Sequence, residues 1–112
     1  MSTIYRDESG HLVQAIRPDF ANIQNVSVGA ASAATTNAVP KDDNGQSNRL
    51  VMLISTTACW FRVGANPTAA KDATSIYLPA NVYFYQPVIA GSDKVAFIQD
   101  SAGGTAQIIP AL

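Results

Sequence analysis

Bond chemistry in this chain would have to come from one histidine, one cysteine and a pair of adjacent aspartates. A Ser-His-Asp or Cys-His relay needs a base, and His11 is the sole candidate. It sits in the polar, turn-like stretch Tyr5-Arg-Asp-Glu-Ser-Gly-His11, a poor platform for a positioned base. A metal site built on two or three histidines is excluded by count. Cys59 alone forms neither an intramolecular disulfide nor a cysteine-rich zinc site, and its neighbours Trp60 and Phe61 predict a buried core thiol. Asp42 and Asp43 lack the alternating Asp-x-Asp-x-Asp spacing of a calcium loop, so a solvated loop is expected. Asp100-Ser-Ala-Gly-Gly-Thr105 is glycine-rich, but no lysine or helix start follows it to hold a phosphate. A hairpin turn is expected there instead. The expectation is therefore no catalytic residue, no metal and no cofactor: not an enzyme.

Residue types suited to contact are better represented. In residues 58–64, Cys59, Phe61 and Val63 share one face of a strand, and Trp60 and Arg62 share the other. We expect the first set to face the core. Trp60 and Arg62 then form an external aromatic-plus-cation pair, a composition enriched at protein interfaces; the alternative is that Trp60 caps the edge of the fold. In residues 82–86, Tyr83 and Tyr85 alternate with Val82, Phe84 and Gln86, giving a tyrosine face of stiff, amphipathic rings. Trp60, Tyr77, Tyr83 and Tyr85 would stack sugars only if their rings were exposed and coplanar. Leu12, Val13 and Ile16 near the N-terminus complete the candidate interface set.

The elements that must position these residues are short and β-prone. Residues 49–56, 58–64, 75–78, 82–86, 94–99 and 105–109 are apolar runs separated by turn formers, with no helical-length segment of period 3.6 between them. Val26 and Val28 alternate with Ser27 as a half-buried strand does. Seven or eight strands at this spacing predict an all-β fold, a single β-sandwich of jelly-roll-like form. Residues 50–54 are apolar at every position, which fits a strand buried on both faces or one covered on its outer face by a partner. Residues 49–56 and 58–64 are so close that a tight hairpin is expected. The Ala/Ser/Thr tract after Gly29 reads as a flat strand, with helix as the alternative. Residues 40–48 are a loop.

Residues 1–24 differ from the sandwich expected over 25–112. Residues 12–16 suit a short strand or an extended arm, and Pro18 holds Arg17 extended. Such a charged terminus is either disordered or an arm that orders on a partner. One domain is expected from 112 residues. Charged residues make up 13% of the chain, against about 25% in ordinary domains. Sparse charge means either that another molecule covers part of the surface or that Ser, Thr, Asn and Gln solvate it. A net charge of −1 with scattered cations predicts no direct nucleic-acid binding. Neither a secretory signal nor an apolar run of spanning length is present, so synthesis in the cytoplasm and no membrane partner are expected.

The segment Cys59-Trp-Phe-Arg-Val-Gly-Ala-Asn-Pro-Thr-Ala69, then Ile76-Tyr-Leu-Pro-Ala80 and Asp93-Lys-Val-Ala-Phe-Ile-Gln99, resembles small β-structured virion proteins of tailed bacteriophages, in particular capsid decoration or cement proteins. The resemblance spans about residues 49–109; the N-terminal third carries none of it. It implies a decoration protein on the capsid exterior that bridges major capsid protein subunits and works as a homodimer or homotrimer. Because these proteins act through surfaces, it transfers no functional residues. The alternatives are a tail, neck or fibre-associated β module that binds a receptor or glycan, and a cellular carbohydrate-binding module.

Overall fold

The computed structural model describes residues 2–6, 12–41, 45 and 49–111, with backbone pairing alone for 2–6 and 12–16. The candidates His11, Asp42 and Asp43 lie outside the described residues. Ten strands are present among the described residues: β1 (Ser2–Arg6), β2 (Leu12–Ile16), β3 (Gln24–Val28), β4 (Ala33–Ala34), β5 (Arg49–Ser55), β6 (Cys59–Gly64), β7 (Ile76–Leu78), β8 (Phe84–Val88), β9 (Lys94–Gln99) and β10 (Gly104–Pro110). β1 and β2 pair with each other as a two-stranded antiparallel ribbon, and the other eight form two four-stranded sheets.

The sheet orders are β3-β10-β5-β8 and β4-β9-β6-β7. Every pairing is antiparallel. Of the eight sandwich strands, the first thus pairs the last, the second the seventh, the third the sixth and the fourth the fifth. The chain doubles back at β6–β7 like one long hairpin, and that hairpin is rolled into two sheets. This is jelly-roll topology, and the all-β sandwich expected from the strand spacing is the fold observed.

Rolling changes two local expectations. β5 and β6 are close in sequence yet belong to opposite sheets, so residues 56–58 cross the sandwich and make no hairpin. The glycine-rich turn after Gln99 likewise carries the chain from β9 in one sheet to β10 in the other. Crossing there brings the Gly104 backbone close to the side chains of Thr56 and Thr57: a Cβ on Gly104 would stand 2.5 Å from Thr56 Oγ1. The Ala/Ser/Thr tract contributes only two paired residues, Ala33 and Ala34. Its hydroxyl at Thr35 is buried and accepts a bond from the Val95 amide at 3.3 Å. Small side chains allow that close approach but offer no apolar row to extend the strand.

Alternation fills the space between the sheets. β5 buries Arg49, Val51, Leu53 and Ser55 and turns Leu50, Met52 and Ile54 outward, half-buried. β6 sends Cys59 and Phe61 inward, β9 sends Val95 and Phe97, and β10 sends Ala106 and Ile108. Phe61 lies at the centre, with ring centroids 5.3 Å from Phe84 and 6.3 Å from Phe97. Removing each such side chain from water contributes about 1.5–3 kcal/mol. Edges are kept short: β4 has two residues, β7 has three, and β8 carries Pro87, which cannot donate to an added strand.

The sandwich is tied to the segment before β3. Pro18 bridges Ala111, and the Asp19 amide donates to the Pro110 carbonyl at 2.8 Å. Arg49, inside the fold, donates to the Pro40 carbonyl (2.8 Å), the Ala111 carbonyl (2.7 Å) and Asp19 Oδ2 (3.2 Å). One guanidinium thus holds the entry to the sandwich, its end and the loop before β5.

Candidate functional site

The predicted contact residues fall on opposite outer faces. Trp60 and Arg62 point away from the core on the β4-β9-β6-β7 sheet, as the alternation of β6 predicts. Trp60 is half-buried; its Nε1 donates to Asp100 Oδ1 at 3.1 Å, and its ring meets Tyr77 edge-to-face at 5.4 Å. Arg62 is exposed beside it. Tyr83 and Tyr85 lie on the outer face of the other sheet, each 53% exposed. The four aromatic rings therefore make no single sugar-stacking platform, and the pair on the first face is tilted by 67°. Leu12, Val13 and Ile16 belong to β2, whose backbone pairs with β1; their side chains lie outside the described residues.

The chain itself covers the Trp60 face. The connection from β6 to β7 joins two neighbouring strands at one side of that sheet, yet the Ala69 amide donates to Ser32 Oγ beside β4, at the opposite edge (2.9 Å). To do so it must cross the outer face. Lys71 Nζ reaches the Asp100 carbonyl on the way (2.9 Å). Beneath it Ala96, which alternates with the inward Val95 and Phe97, has no exposure. Asp72 in this loop accepts from the hydroxyl and amide of Thr74, which with nearby Arg62 hold its carboxyl below the usual range.

The opposite face has no such cover among the described residues. Outward positions on β5 are Leu50, Met52 and Ile54; Met52 stands level with Ile109 on one side and Tyr85 on the other. Pro18, Phe20, Ile23, Met52, Tyr83, Tyr85, Gln107 and Ile109 line a shallow groove of about 380 Å³ without a charged residue. Phe20, in the short 3₁₀ turn Phe20–Asn22, is 78% exposed. Of these residues, sequence reasoning had singled out only the two tyrosines. The fully apolar run at 50–54 was the signal for Met52, because an external strand position has no reason to be apolar unless something covers it. Phe20 had no signal of its own.

Two titratable groups in the body of the fold are shifted by their surroundings. Burial pushes the Cys59 thiol up, partly countered by the Ser55 hydroxyl. Asp19 is held below the usual carboxylate range by the Asn22 amide and then by Arg49. No cluster of three or more His, Cys, Asp or Glu stands together among the described residues. No described helix is long and apolar enough to cross a membrane. No family model, curated protein or solved structure matches this chain.

Proposed function

We propose that this protein is a virion structural protein of a tailed bacteriophage: a capsid decoration protein, made in the host cytoplasm, that sits on the shell exterior and bridges major capsid protein subunits. It works as a homodimer or homotrimer and makes or breaks no covalent bond. The observation that carries the reading is the uncharged apolar face centred on Met52 and Tyr85. Contiguous exposed apolar surface on a small domain marks an interaction site. The chain's scarcity of charge and the virion-protein resemblance of residues 49–109 point the same way. Jelly rolls recur in viral capsid domains and in lectins, but fold alone assigns no function.

The test is rebinding to expanded capsids. Deleting residues 1–17 weakens binding while the far-ultraviolet spectrum of the sandwich is retained; equal binding by the truncated and full-length chains overturns the arm's role. Exposed tyrosines lining a groove also suit a tail- or fibre-associated module that binds a receptor or glycan. Gel densitometry of purified particles separates the two. Hundreds of copies per particle indicate decoration; three, six or twelve indicate a tail or neck component. Glycan binding lost on Tyr83→Ala would favour the second reading.

A further inference from the structure

Two parts of this molecule have no counterpart among the described residues. One is the apolar outer face of the β3-β10-β5-β8 sheet, with Met52 and Ile109 half-buried to buried on its floor and Phe20, Tyr83 and Tyr85 standing open around them. The other is the β1–β2 ribbon, whose strands pair, among the described residues, only with each other. An isolated two-stranded hairpin is marginally stable in water, and packing of an apolar face is what makes such a ribbon persist. Its ten strand positions include Ile4, Tyr5, Leu12, Val13, Ala15 and Ile16.

The connection between the two parts decides where the ribbon can pack. β2 ends at Ile16, and Pro18 is already bridged to Ala111 at the lip of the groove. Arg17 is the one residue left between them. Folding back onto the same chain's groove needs a reversal of direction, and a β-turn uses four residues. Arg17 is moreover held extended by the proline that follows. One extended residue leaves no room for that turn, so a neighbouring copy's groove is the one the connection leaves within reach.

We infer that the β1–β2 hairpin of one copy packs onto the Met52–Tyr85 face of a second copy of this chain. The inference rests on the self-association part of the proposed function and deepens it by naming the two surfaces that meet. Each half supplies what the other lacks: the ribbon gains a sheet to lie on, and the uncharged groove loses its contact with water. Exchange of an N-terminal element between copies is a low-cost route to closed oligomers.

The test uses the purified full-length chain without capsids. Light scattering after size-exclusion chromatography gives an oligomer for the parent. Tyr85→Glu and Met52→Arg each weaken self-association by about tenfold or more. Tyr85→Glu alters an exposed position, so its fold is retained even where Met52→Arg is not tolerated. Copies carrying only Val13→Cys, mixed with copies carrying only Tyr83→Cys, form a covalent mixed dimer on oxidation. Four outcomes overturn the inference: a monomeric parent, unchanged association of Tyr85→Glu, an intrachain disulfide in the Val13→Cys/Tyr83→Cys double variant, or an oligomer in which the mixed dimer does not form. A monomer that still binds shells removes this inference together with the self-association part of the proposed function, and leaves the shell-bridging role standing. A hairpin-linked oligomer that binds no shell does the reverse.

Discussion

Replacing Arg49 with methionine probes the joint that closes the jelly roll. The substitution keeps an unbranched apolar stem of similar length and removes the guanidinium. Three acceptors then lose their donor: the carbonyls of Pro40 and Ala111, and Asp19 Oδ2. The Arg49 side chain is 1% exposed, so water replaces it poorly, while Asp19 keeps 12% exposure and its bond from Asn22. Breaking a buried ion pair by removing one partner costs about 3–5 kcal/mol. Arg49 Nε has no partner among the described residues, which lowers the net worth of the arginine, so the low end, about 3 kcal/mol, applies here. With a melting entropy of about 2.1 cal/mol/K per residue, the 112-residue chain has about 0.24 kcal/mol/K, and Tm falls by about 13 °C.

The same joint sets a pH dependence. Asp19 has its carboxyl pKa lowered in the fold, first by Asn22 and then by Arg49. The unfolded chain therefore takes up this proton first as pH falls. The stabilisation is complete above the unfolded value of about 4 and is lost as pH drops through the lower folded value. Arg49→Met shrinks this acid loss without abolishing it, because the Asn22 bond remains. Differential scanning calorimetry between pH 7 and 3 reads both effects. A Tm loss below about 4 °C at pH 7, about 1 kcal/mol, refutes the view that Arg49 holds the two ends together.

Two further outcomes follow from the core and its crossings. Gly104→Ala places a methyl 2.5 Å from Thr56 Oγ1 and 2.8 Å from Thr57 Cγ2, and Thr56 Oγ1 also accepts the Thr105 amide, so urea denaturation shows a loss of about 1–3 kcal/mol; a change within about 0.5 kcal/mol would falsify the close crossing. Cys59 is fully buried with a raised pKa, so an aromatic disulfide reagent labels it only on unfolding, and its contribution to stability, complete below the unfolded pKa of about 8.5, is lost as pH rises from there through the higher folded value; rapid labelling of the native protein contradicts its placement.

What could be read from residue order alone was local. Alternation at Val26 and Val28 and at Cys59, Phe61 and Val63, and the turn formers between runs, determined an all-β chain with those side chains inward. Each such signal concerns neighbours two residues apart, and the period of a strand needs no knowledge of its partner. Residue order also showed, in the unbroken apolar run at 50–54, that one strand had too little polar surface for an exposed face. Tertiary structure decided which strands pair. Proximity in sequence suggested hairpins at residues 56–58 and after Gln99, yet the rolled topology sends both connections across the sandwich, because strands distant in the chain occupy the neighbouring places. It also decided that Trp60 and Tyr83 look in opposite directions, that a loop shields one sheet, and that Phe20, Met52, Tyr85 and Ile109, separated by up to most of the chain, meet on the other. A contact surface is assembled from side chains of non-adjacent strands, and no spacing along the polypeptide encodes which strands lie side by side.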